Sequence, residues 1–211
     1  MQGVSLISLM VGLAIASMVM LAALGLFQRM AKSTGEARQD AQRSAQRNAG
    51  LAAVELLLQS AGFGLEGAQW GLHVQQLSVQ WDAERKKLLP ADGQSNAVVW
   101  AENTTGTVQC HVLWSPYDAG GLRLLGPASC TDTEAWQDSV DWGEPRSLNG
   151  AGADVVHMQY DAVACMPFGI GSALDRETAR AQITLSATSN QGQVLASSVC
   201  LVNVKLPAAA P

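Results

Sequence analysis

Seven side chains carry most of the reactive chemistry in this 211-residue sequence: Cys110, Cys130, Cys165 and Cys200, with His73, His111 and His157. The cysteines are even in number, 20 and 35 residues apart in two successive pairs, and none lies in a Cys-x-x-Cys pair. That pattern reads as two disulfides formed in an oxidising compartment, with buried free thiols as the alternative. Of the three possible pairings, Cys110 with Cys130 and Cys165 with Cys200 is expected, because it closes two short local loops. The histidines stand alone in strand-like segments, which suits a structural role. No Gly-x-Ser-x-Gly, Gly-x-x-x-x-Gly-Lys or His-Glu-x-x-His occurs, and the Gly-x-Gly of "GIGSAL" (169–174) lacks a strand–turn–helix setting and reads as a loop. The expectation is therefore no enzyme, no cofactor and no metal.

Three features invite a binding reading and have plainer ones. Asp132, Glu134, Asp138, Asp141 and Glu144 offer oxygen ligands for calcium but lack EF-hand spacing and a central glycine, so a solvated acidic loop is expected. Arg85-Lys86-Lys87 after Trp81 has the ingredients to touch DNA, yet the net charge of −5 disfavours nucleic acid and a surface turn is the simpler reading. Of the six tryptophans, Trp136 and Trp142 lie in the polar loop, where an exposed ring would suit a subunit contact; core packing accounts for the other four.

These residues need a scaffold, and the chain supplies one in two parts. Val4 to Gln28 contains no charge; as a helix its 25 residues would reach roughly 37 Å, enough to cross a hydrocarbon core of about 30 Å. A secretory signal would be shorter and begin with a basic residue. From Arg29 to Gln59 the sequence is rich in Ala, Gln, Arg, Glu and Leu, with Leu51, Val54, Leu58 and Ala61 on one apolar face. Ala37, Ala41 and Ala45 extend a small-residue stripe, Gly62 and Gly64 supply a stop, and Gly35 and Gly50 are weak points. One helix of about 55 residues is expected, its first half in lipid and its second on a soluble domain.

The remainder, 63–206, reads as a single β-rich domain. Strand patterns run over 72–81, 96–101, 107–115, 121–125, 155–160, 180–188 and 193–205. The last two form the clearest hairpin, with a two-to-four residue turn at "SNQG" placing Ala181, Ile183, Leu185 and Ala187 opposite a face of Val194, Ala196, Ser198, Cys200, Val202 and Val204. The fold class is α+β, with the helix covering the apolar face of an antiparallel sheet. The stretch 129–149 reads as a polar loop, and 207–211 as a frayed tail.

Gly3-Val4 before the uncharged "SLISLMVGLAIA" resembles the class III signal of type IV pilins and type II secretion pseudopilins, which a prepilin peptidase cuts after the glycine. "LLLQSAGFG" (56–64) is similar to the segment that closes the long helix of W-type minor pilins, and "DVVHMQYD" (154–161) to one of their strands. The resemblance covers about a third of the chain. It implies a leader at 1–3, a membrane and filament-core helix at 4–28, its soluble half at 29–62, cleavage between Gly3 and Val4, and methylation of Val4. It also implies a periplasmic head on an inner-membrane span, and after assembly a place in a pilus serving motility, adhesion or DNA uptake. The implied partners are other minor and major pilins, the prepilin peptidase, the inner-membrane assembly platform and a tip adhesin.

Two departures bear on this. The fifth residue after the cut, usually a glutamate that pairs with a neighbour's N-terminal ammonium, is Ser8. That loss suits a tip subunit with no amine to neutralise; equally, Ser8 reads as a small polar residue bonding a carbonyl of its own helix. The leader of three residues has no Lys or Arg, so a start further upstream is expected. The alternatives are a J-type minor pseudopilin and, from another class, a periplasmic ligand-binding domain on an uncleaved anchor.

Overall fold

The computed structural model describes residues 6–130, 133, 140–149, 155–166, 179–188 and 194–207. A single helix, α1 (Leu6–Gln59), precedes ten strands among these residues. The chain divides into two compact units, Met1–Ala45 and Gln46–Pro211. Charge-free apolar residues and then Ala, Gln, Arg and Glu keep α1 unbroken through Gly35 and Gly50, with no proline inside it. It stops at Gln59, where the N–H groups of Ser60 and Ala61 turn back to the carbonyls of Leu57 and Leu58 at 3.2 and 3.1 Å. These shorter-range bonds tighten the last turn.

The second unit is the α+β head. Its largest sheet is antiparallel, in the order β1 (Val74–Leu77), β4 (Ala97–Glu102), β5 (Gln109–Trp114), β6 (Arg123–Ser129) and β7 (Arg146–Ser147). A second antiparallel sheet places β9 (Ala179–Thr188) between β10 (Val194–Leu201) and β8 (Val156–Ala164), and β2 (Val79–Asp82) pairs with β3 (Lys87–Pro90). All six residues of β4 are buried. Its alternation explains why: Val98 and Trp100 join the cluster that contains Leu51, Val54 and Leu58 of α1, whereas Ala97, Val99 and Ala101 join one with Val79, Leu88 and Trp142. The helix thus covers one face of the large sheet and the β2–β3 hairpin the other. Val156, Met158, Ile183, Leu185, Val199 and Leu201 of the three-stranded sheet complete the helix-side core.

Three expectations are corrected. The segment 72–81 is two strands, because the buried Asn96 amide accepts from the Val79 N–H and donates to the Val79 carbonyl, both at 2.9 Å, where a neighbouring strand would bond. The chain therefore leaves the large sheet after Leu77 and enters the hairpin at Val79. The last hairpin forms, but its second strand has the opposite phase. Thr188 pairs with Val194 and Ala181 with Leu201, so Leu195, Ser197, Val199 and Leu201 share the face of Ala181 to Ala187. Val194, Ala196, Ser198 and Cys200 of the expected set are on the other side, where Val194 is 66% exposed, and Val202 and Val204 lie beyond the strand. A two- or four-residue turn pairs residues of opposite parity, whereas here five positions separate Thr188 from Val194; an odd connection turns every side chain over. Finally, β3 and β7 fell outside the expected strands: one is four residues with a basic start, the other two exposed residues.

Candidate membrane and assembly segment, and the head that holds it

In the first unit, α1 presents apolar side chains on every side. Fourteen large ones from Leu6 to Phe27 are 53–76% exposed, and the first charge comes at Arg29. A helix apolar all round has no aqueous face to choose. Leu6 to Gln28 is 23 residues, about 34 Å of helix against a hydrocarbon core of about 30 Å. At about 1.5–3 kcal/mol for each large side chain removed from water, transfer to lipid gains tens of kcal/mol. This segment is long and apolar enough to cross a membrane. Ser17 within it fits that setting, since its hydroxyl donates to the Leu13 carbonyl at 2.8 Å and needs no water; Thr34, past the apolar stretch, bonds the Met30 carbonyl in the same way.

Ser8 lies on this exposed stretch. Gly3 and Val4 lie outside the described residues. Gly12 and Gly25 have no atom within 4 Å of where a Cβ would stand, leaving shallow places for another helix to approach. Past the apolar stretch, Lys32 and Glu36 form an exposed i, i+4 pair at 4.0 Å, and Ala37, Ala41 and Ala45 are exposed.

In the second unit, the end of the same helix is locked into the head. Leu51, Val54, Leu58 and Ala61 are buried, as their spacing predicts. Gly50 is buried where the helix meets Leu148–Asn149, and a Cβ there would stand 3.0 Å from the Asn149 Cβ. The Ser197 hydroxyl donates to Glu55, joining β10 to α1. The Asn203 amide donates to the Gln59 and Ala61 carbonyls at 3.3 and 3.4 Å, satisfying acceptors that a helix end leaves open. "AGFG" then clips onto the end of β4: Gly62 N–H donates to the Ala101 carbonyl at 2.9 Å, and Asn103 N–H to the Phe63 carbonyl at 2.8 Å. Gly64, at φ +69°, passes so close that a Cβ would lie 2.1 Å from the Asn103 carbonyl oxygen.

All four cysteines are bonded, Cys110 to Cys130 and Cys165 to Cys200, with Cα separations of 5.8 Å in both. The first joins β5 to the residue after β6; the second ties the end of β8 to β10 across β9. His73 accepts from the Gln69 N–H at 3.2 Å within a turn, and His157 is exposed. His111 does not stand alone. Its Nε2 is 3.3 Å from Glu102 Oε1, both side chains are about nine-tenths buried, and its ring stacks on Trp100 with centroids 5.2 Å apart. Burial lowers the His111 pKa against the opposing pull of Glu102, and Arg146 lowers it further. His111 and Glu102 are diagonal neighbours across β5 and β4, a relation invisible until the register is known.

The remaining candidates take structural places. Trp142 is not an exposed contact ring but a core residue, 3% exposed, in the cluster on the far face of the large sheet. Trp136, Asp132, Glu134, Asp138 and 169–174 lie outside the described residues. Asp141 accepts from the Gly143 N–H at 3.1 Å, and Glu144 pairs with Lys86 at 3.1 Å. No group of three His, Cys, Asp or Glu suited to a metal occurs among the described residues. Arg85 and Lys86 form the β2–β3 turn, where Asp82 accepts from the Glu84 and Arg85 N–H groups. The chain matches no family model, no curated protein and no solved structure.

Proposed function

We propose that this chain is a minor pilin of the W type, an assembling subunit that helps to start or cap a type IV pilus. One observation carries the reading: a single 54-residue helix is apolar on all sides over its first part and, over its last turns, is the cover of a disulfide-bonded antiparallel head. An anchor needs only the apolar part. A subunit drawn from lipid into a filament also needs a grip that moves the head with the helix, which Leu51, Val54, Leu58, Glu55 and the "AGFG" clip supply. The small residues Gly12, Ala14 and Ala16 permit neighbouring helices to replace lipid.

The test is the mass of the N-terminal peptide from membranes of cells carrying a prepilin peptidase. Cleavage after Gly3 with N-methylated Val4 is expected, and Gly3→Glu should leave the precursor and abolish filaments. Equal processing of parent and Gly3→Glu, or an intact N-terminus in both, would replace the pilin reading with an uncleaved anchor.

A further inference from the structure

The head carries a groove unconnected with its helix contacts. It has a volume of about 540 Å³, within the range of small-molecule sites, and lies where β5 ends and β6 begins, beside β2. Its lining includes three aromatic residues, Trp81, Trp114 and Tyr117, together with Asp118 and Arg123.

Each is held. The Tyr117 hydroxyl donates to the Gln94 carbonyl at 2.6 Å, fixing a ring that stays 43% exposed. Trp114 is 5% exposed and serves as floor; the Arg123 guanidinium lies 5.4 Å from its ring centre, so stacking positions the cation. Arg123 has no carboxylate within 4.0 Å among the described residues. Trp81 is half-buried, anchored by its pairing opposite Leu88.

We infer that this groove binds a saccharide. A pyranose has apolar C–H faces that lie on aromatic rings and a rim of hydroxyls that need both donors and acceptors. Tyr117 and Trp81 offer the rings, Arg123 the donors and Asp118 the acceptor. Asp118 decides against a single-stranded nucleic acid, which would also use aromatic rings and an arginine: a carboxylate in the groove and a net charge of −5 repel phosphates.

The experiment uses the full chain in detergent on an array of neutral and uronic-acid-containing oligosaccharides, with a single-stranded oligonucleotide in parallel. The strongest sugar is then titrated by tryptophan fluorescence. Binding of at least one saccharide is expected, weakened about tenfold or more by Tyr117→Ala and by Arg123→Gln, and unchanged by Phe63→Ala on the helix side of the head. Trp81→Ala should act likewise; if it fails to fold, the Tyr117 and Arg123 variants carry the test. The inference is overturned if the parent binds no sugar, if binding survives both Tyr117→Ala and Arg123→Gln, or if only the oligonucleotide binds. None of these outcomes depends on cleavage at Gly3, so the pilin reading is tested separately.

Discussion

Two residues show how little freedom the head leaves them. Gly64 combines a left-handed backbone with a contact that excludes any side chain, so Gly64→Ala must move either Asn103 or the turn itself. A loss of about 2–4 kcal/mol is expected in denaturant unfolding, whereas Gly67→Ala, with a similar φ but open space, should cost only about 1 kcal/mol. His111 makes a prediction about pH. Its folded pKa is lowered from 6.5, so the unfolded chain binds the proton more tightly and stability, complete above that value, falls as the pH drops below it. Melting temperatures between pH 7.5 and 5 should decline more for the parent than for His111→Gln. Equal slopes would mean that the Glu102 carboxylate compensates fully for burial.

At the scale of elements, the contrast between the helix and the last hairpin shows what a sequence discloses. A helix face depends on spacing within one segment, so Leu51, Val54, Leu58 and Ala61 are legible at once, and Leu58→Ala should cost about 2–5 kcal/mol while Leu56→Ala, 69% exposed, costs little. The identity of β9 and β10 is equally local. Their relative phase is not, because it turns on the parity of a connection, and a single residue inverts it. Val199→Asp should therefore unfold the head and Ala196→Asp should not, the reverse of what the even-numbered face implies. Circular dichroism of the two variants would decide it. The division at Asn96 and the meeting of His111 with Glu102 were illegible for the same reason: each joins residues whose neighbourhood is set by pairing rather than by position in the chain. The groove of Trp81, Tyr117 and Arg123 likewise draws on three separate elements.

For the whole molecule, the disulfides and Ser8 make separate demands. Opening the 20- and 35-residue loops should each remove about 3–4 kcal/mol. Cys165→Ser with Cys200→Ser should be the more damaging, since it frees both edge strands of a three-stranded sheet; thermal unfolding of both double variants would compare them. Under the proposed pilin reading, Ser8 bears on the subunit's place in the filament. In a subunit with no neighbour's ammonium to neutralise, Ser8→Ala leaves filament number nearly unchanged and Ser8→Glu is tolerated or mildly harmful, its carboxylate unpaired in lipid. Counting this subunit per filament checks it, and a clear gain with glutamate would place it in the shaft instead.

The buried end of α1 also dictates where the chain can be cut. Leu51, Val54 and Leu58 are as much the interior of the head as any strand, so the head begins, physically, near Gln46 rather than where the strands start. A soluble fragment for crystallisation that starts between Arg29 and Gln46 sheds the lipid-seeking residues and keeps its own lid. One that starts at Ser60 bares the apolar faces of two sheets, and the expected yield is inclusion bodies.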